Sequence, residues 1–358
     1  MGTTESVILQ NAQWALPIIS NYLDYDDILE LSKNSDYIKE LLTIILSQRR
    51  TYYSSDFVKM SSYKSMHMRT LHWSNCHDIN KYKLPPKLTT LLFKDIFNQS
   101  IRPGAIPPYV TYLNFGRNFD QLIRPNVIPL HITSLNFGVI YNRTIDLSSL
   151  VNLTYLNFGY KFNQPINSSM LPQSLTTLKF KFDFNKSINL SSLVNLTCLN
   201  FGYKFNQPID HIMLPQSLTT LKFKAAFNKP INLSSLVNLT YLSLGFMFNQ
   251  PIDHSMLPQS LTVLKFKAAF NKPINLSSLV NLTYLSLGFM FNQIIDLSAL
   301  INLTKLKFKS AFNKPINLSS LVKLTNLTIG YALKQHIDLS ALVNLTKITY
   351  LNEGNTNT

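Results

Sequence analysis

Three sets of residues in this chain have the types and spacing to do chemistry. His67, His72, Cys76 and His77 crowd into one short stretch, as metal ligands do. Asp210-His211 and Asp253-His254 are adjacent carboxylate–imidazole pairs, the makings of a general base. Lysines flank a phenylalanine at Lys179 and Lys181, Lys222 and Lys224, Lys265 and Lys267, and Lys307 and Lys309, which is the composition of an anion-binding surface. The first set lacks the paired, regular spacing that holds zinc, and a single cysteine among irregular histidines does not supply it. The second set sits at one repeated position that is Asn or Asp in the later repeats: Asn189, Asp210, Asn232, Asp253, Asn275, Asp296, Asn317 and Asp338. A repeated Asn/Asp column caps short helical turns by accepting from their free N–H groups. With no phosphate loop and no nucleophile elbow, the chain reads as a non-enzyme with no metal and no cofactor.

What must position the lysines is a repeat. Phe-Asn pairs recur at Phe97, Phe162, Phe184, Phe205, Phe227, Phe248, Phe270, Phe291 and Phe312, with altered members at Phe119-Asp120, Tyr141-Asn142 and Leu333-Lys334. Steps of about 21 or 22 residues define a solenoid, in which each unit buries its apolar side against its neighbours. One unit reads L-x-x-L-x-F-x-x-x-F-N-x-P-I, as in Leu218, Leu221, Phe223, Phe227, Asn228, Pro230 and Ile231. The period-two alternation of Leu221 and Phe223 predicts a short strand with both side chains inside, and stacked strands make a parallel sheet. Phe227 then joins a column of aromatics. The asparagine at the turn predicts a ladder of side-chain amides satisfying turn backbone: Asn163, Asn185, Asn206, Asn228, Asn249, Asn271, Asn292 and Asn313.

Alternation also identifies the outward positions. Tyr112, Tyr155, Tyr241 and Tyr284 (with Cys198 in the same column) precede the strand leucine in one half-type of repeat, and the lysine pairs occupy the other half-type. The natural unit is therefore a double repeat, and the expected surface is a basic stripe interleaved with tyrosines. Lys+Arg 33 against Asp+Glu 18 gives a net charge of +15, which favours an acidic partner. An acidic protein would find charge steering and Tyr anchors. A nucleic acid would find phosphate contacts and stacking rings, and it fits less well because lysine predominates over the bidentate arginine. The bland reading is that lysines keep an exposed sheet soluble.

The tetrad Phe-Asn-x-Pro-Ile resembles the FNIP repeat, a relative of the leucine-rich repeat abundant in giant viruses and social amoebae. The resemblance spans residues 84–350. Residues 14–46, with Trp14-Ala15-Leu16-Pro17-Ile18-Ile19 and the run Tyr22 to Lys33, resemble an F-box, which often precedes such repeats. That implies a substrate-recruiting adaptor of a Skp1-cullin-F-box ubiquitin ligase, with Leu16, Pro17, Ile18, Ile28 and Leu29 docking on a Skp1-like protein. An all-helical cap on the solenoid and a stand-alone scaffold are the alternatives. The expected organisation is a helical F-box-like region at 1–50, a basic connector with a degenerate capping repeat at 51–83 (Leu71-x-Trp73), the repeats at 84–350, and a polar tail at 351–358. The expected fold is a leucine-rich-repeat-like solenoid, with a parallel β-sheet on one face and turns or short helical segments on the other, preceded by a small all-α region. Two cysteines, no signal-like leader and no membrane-length apolar run predict an intracellular, cytoplasmic protein, in host cytoplasm if the chain is viral.

Overall fold

Among the described residues, fifteen short parallel strands form a single sheet in chain order. The structure is a computed structural model and describes residues 51–59, 68–74 and 77–352. The F-box-like region with Leu16, Pro17, Ile18, Ile28 and Leu29, together with His67, Cys76 and residues 353–358, lies outside the described residues.

From Thr70–Trp73 to Asn326–Ile329, each coil contributes one strand of three or four residues with a buried leucine at its second position. Leu221 of strand Thr220–Lys222 lies between Leu199 and Leu242 in the neighbouring strands, and all three are fully buried. A threonine two residues before the strand leucine fixes the register a second time. The Thr219 hydroxyl donates to the Thr197 carbonyl at 3.1 Å, and the same bond recurs from Thr89 to Thr346. This threonine column, which the repeat consensus above does not include, adds a side-chain donor to carbonyls that already accept two backbone N–H groups.

Two phenylalanine columns fill the space behind the sheet. Within a coil, Phe223 and Phe227 stack at 3.9 Å between ring centroids; between coils, Phe227 meets Phe205 at 6.1 Å and Phe248 at 6.0 Å. The second column runs without a break from Phe97 to Phe312. Burying such a ring in every coil is the main apolar gain of the fold, at roughly 25 cal/mol per Å² of apolar surface.

On the far side, the Leu-Pro-Gln-Ser-Leu half-type forms 3₁₀ turns. Asp210 caps His211–Met213 and Asp253 caps His254–Met256, each accepting from the backbone two residues on. The sheet also reaches upstream of residue 84. Strand Thr70–Trp73 buries Leu71 and Trp73, pairing with Thr90–Phe93, and strand Thr51–Tyr53 adds one more before a five-residue α-helix, Ser54–Val58. The connector is thus built largely as additional coils, because Leu71 and Trp73 satisfy the same inward alternation as Leu91 and Phe93.

Candidate protein-binding face

The outward side of the sheet carries three adjacent columns. In the first, Tyr241 lies between Thr220 and Val263, and Tyr284 between Val263 and Lys305. In the second, Lys222 lies between Asn200 and Ser243, and Lys265 between Ser243 and Ser286. In the third, just past the strand, lysine alternates with glycine: Lys181, Gly202, Lys224, Gly245, Lys267, Gly288, Lys309, Gly330. The glycines are required by close backbone approach, since a Cβ on Gly202 would lie 2.7 Å from the Lys181 carbonyl oxygen.

The lysine heads lean outward to both sides. Lys179 Nζ sits 4.8 Å from the Tyr155 ring centroid and 3.3 Å from its hydroxyl. Lys222 covers Tyr241 at 4.6 Å, and Lys265 stands between Tyr241 (5.0 Å) and Tyr284 (4.7 Å). The third-column lysines lean the other way, onto aromatics the repeat pattern left unnamed. Lys181 meets Tyr160 at 5.2 Å, Lys224 meets Tyr203 at 5.6 Å, Lys267 meets Phe246 at 4.6 Å and Lys309 meets Phe289 at 4.5 Å. Desolvated cation–π contacts hold such heads in place. Tyr160, Tyr203 and Phe246 are each about two-fifths exposed, so this second aromatic wall is presented to solvent. Its sequence signal was the residue after each Gly, which is aromatic in most coils of that half-type.

The predicted site residues thus divide. Lys179, Lys181, Lys222, Lys224, Lys265, Lys267, Lys307, Lys309, Tyr155, Tyr241 and Tyr284 share one stretch of the face. Tyr112 stands apart, paired with Thr90 and Ser134 in coils whose second column holds Leu92, Asn114 and Asn136 rather than lysine. Asp183 offsets the basic charge at the stripe's start, bridged by Lys204 at 2.7 Å and Lys161 at 3.4 Å, with its carboxyl held below the usual carboxylate range mainly by the Lys204 hydrogen bond. Beyond it, no carboxylate among the described residues forms a salt bridge with Lys222, Lys224, Lys265, Lys267 or Lys307. Burial, then the charges of Lys224, Lys309 and Lys265, pulls the Lys267 amine below its ordinary value, and burial followed by Lys307 does the same to Lys309.

The asparagines face away from this stripe, at the turn. Asn206 Oδ1 accepts the backbone N–H of Asn228 at 2.9 Å, and Asn228 Oδ1 that of Asn249 at 2.9 Å. The bond repeats through Asn163, Asn185, Asn271, Asn292 and Asn313, and Lys334, which has no side-chain acceptor, ends the run. In alternate coils a glutamine adds a second donor, as Gln250 Nε2 does to Asn228 Oδ1 at 3.0 Å. The Asp253-His254 pair is joined at 2.9 Å, yet the same carboxylate oxygen caps the turn through Ser255, which is what holds its pKa down. Among the described residues no cluster of three His, Cys, Asp or Glu side chains could hold a metal, and no helix is long and apolar enough to cross a membrane.

Fold and face together define a leucine-rich-repeat-like parallel solenoid of the kind that serves as a protein-binding scaffold. Residues 97–139, 141–183, 184–225 and 227–269 match the FNIP Repeat, so the chain carries four tandem copies of it, and the structure continues the same coils through Tyr350. The chain is similar to CroV588, described as a novel circular LRR protein: identity is 36%, the TM-score is 0.60, and the match covers 79% of this chain and 50% of that one. It therefore spans about half the length of that protein. The functional domain of InlJ from Listeria monocytogenes shares the fold at 19% identity and a TM-score of 0.54, over 81% of this chain and 64% of that one. No curated protein matches the chain in sequence.

Proposed function

We propose that the exposed sheet face captures an acidic protein segment, and that the chain delivers it as a substrate-recruiting adaptor of a Skp1-cullin-F-box type ubiquitin ligase. The observation that carries the first half is the run Lys222, Lys224, Lys265, Lys267 and Lys307, without carboxylate partners among the described residues and walled by aromatics. Lysines needed only for solubility have no reason to be ordered against rings on both sides. The second half rests on the F-box-like residues Leu16, Pro17, Ile18, Ile28 and Leu29, whose apolar face would lie in a partner groove.

Titration calorimetry of the full chain with a purified Skp1-like protein tests the adaptor role. Binding is expected, with loss of at least tenfold in affinity for Ile28→Asp and Leu29→Asp. No binding by the folded wild-type chain removes the adaptor and leaves a stand-alone scaffold acting through its Lys/Tyr face.

A further inference from the structure

The lysine face is not uniform along the solenoid axis. Rungs bearing two lysines alternate with rungs bearing a small residue and a glycine. Ser243 and Gly245 form one low rung, both buried, between Lys222–Lys224 on one side and Lys265–Lys267 on the other. Ser286 and Gly288 form the next, between Lys265–Lys267 and Lys307–Lys309. Asn200 and Gly202 form the one before, between Lys179–Lys181 and Lys222–Lys224. Past the last lysine pair the face opens into a depression of about 400 Å³ lined by Tyr284, Phe289, Lys305, Lys307, Lys309 and Lys347.

The Ser243 and Ser286 rungs are therefore notches rimmed by ammonium groups with an aromatic at either end. Lys222, Lys265 and Lys267 lean onto Tyr241 and Phe246 beside Ser243, and Lys265 and Lys309 onto Tyr284 and Phe289 beside Ser286, whereas the Asn200 rung ends in Cys198. A carboxylate over a low rung can descend between the flanking lysines, whereas one over a lysine rung meets the raised side chains first. Successive notches lie two strands apart, which is about 9.6 Å at the usual strand spacing. A polyproline II segment advances about 9.3 Å in three residues and returns every third side chain to the same side. Two residues of extended chain cover only about 6.7 Å.

We propose that this face is a track of anion-accepting notches fitted to an extended polypeptide whose acidic side chains recur at every third position. The inference rests on the protein-binding reading above and narrows it to a sequence rule. The partner is a segment with the pattern acid-x-x-acid-x-x-acid, disordered until bound, lying along the solenoid axis across the strands. The notches at Ser243 and Ser286 receive two consecutive acids of that pattern. Multivalent seating of this kind multiplies weak single contacts.

Fluorescence anisotropy of the full chain with labelled twelve-residue peptides, at physiological salt, tests it. One peptide is (Glu-Pro-Ser)₄; its isomer has the same composition with the four glutamates in a block. The periodic peptide should bind at least tenfold more tightly, and the double variant Lys222→Ser/Lys265→Ser should abolish that preference. Serine already stands at Ser243 and Ser286 in the same column, so the variant should fold, which its unchanged thermal midpoint checks. Equal affinity for the two isomers, both weakened by the double variant, overturns the spacing rule while leaving an acidic protein-binding face. No binding of either peptide overturns both readings. Tighter binding of a twelve-nucleotide oligothymidine than of the periodic peptide overturns a polypeptide ligand.

Discussion

Asn228 is worth more to the fold than its polar surface position suggests. Its Oδ1 accepts both the Asn249 N–H and the Gln250 side chain, so removing it strands a backbone donor in a part-buried turn. Asn228→Ala is expected to cost about 1–3 kcal/mol in a denaturant titration, the usual cost of an unsatisfied donor. Asn228→Asp should retain most of the stability, because Asp120 already plays the part, accepting from Asn142 at 2.9 Å. Neither change should alter binding at the lysine face. Tyr141 is the converse case. It fills the phenylalanine column, but its hydroxyl is buried with no hydrogen-bond partner among the described residues. Tyr141→Phe should therefore stabilise by about 1 kcal/mol, since it removes an uncompensated polar group and keeps the ring. Burial, and secondarily Asp120, push the phenol above its ordinary value. Above pH about 10 the unfolded chain loses that proton while the folded chain keeps it, so folding stability falls as pH rises. The gap in thermal midpoint between Tyr141→Phe and the native chain should accordingly widen above pH about 10, and a constant gap would contradict the buried phenol.

Single coils are the elements here, and each touches only the coils beside it. Damage should remain local in consequence. Phe227→Ala opens a cavity between Phe205, Phe223 and Phe248 and is expected to cost about 3–5 kcal/mol. Amide hydrogen exchange should accelerate in the coils around residues 199–264 and stay unchanged near Leu113–Leu156; a uniform change would show that the solenoid unfolds as one unit. Phe223→Leu should cost far less, about 1 kcal/mol, because Leu244 and Leu287 fill the corresponding position in other coils. The two phenylalanines of a coil look alike in the repeat consensus. Only the second column, at Phe227, is aromatic without interruption from Phe97 to Phe312, and the stacking geometry explains why it is the less tolerant.

Charge belongs to the molecule as a whole. Half-buried Lys267 is depressed by burial and by three neighbouring lysines, so at neutral pH its charge works against the folded state. A lysine whose folded pKa is lowered makes stability rise with pH between that value and the unfolded one near 10.4. Lys267→Ser should therefore raise the thermal midpoint at pH 7 and flatten that rise, while weakening polyglutamate binding and reducing its salt dependence. A gain in stability coupled to a loss of binding is the mark of a residue kept for its contact. If polyglutamate binding is unmoved, the lysines serve only to keep the face hydrated.

The sequence alone determined the solenoid, because a period that repeats this many times leaves only stacking as a way to bury Leu221, Phe223 and Phe227. It also determined which residues of each strand point outward, since period two follows from the pleat itself. The cap role of Asp210 and Asp253 was legible for the same reason: a repeated position points to local backbone chemistry. Three things were decided only by the tertiary structure. The threonine ladder links residues 21 or 22 apart through hydroxyls, a geometry invisible until the coils are in register. The second aromatic wall of Tyr160, Tyr203, Phe246 and Phe289 lies just past the strands, where alternation no longer predicts direction. The grouping of lysines around low Ser–Gly rungs depends on which strands are neighbours and how closely Gly245 and Gly288 let them approach. Sequence period fixes what each coil presents; contact between coils fixes what stands next to it, and a binding face is made of neighbours.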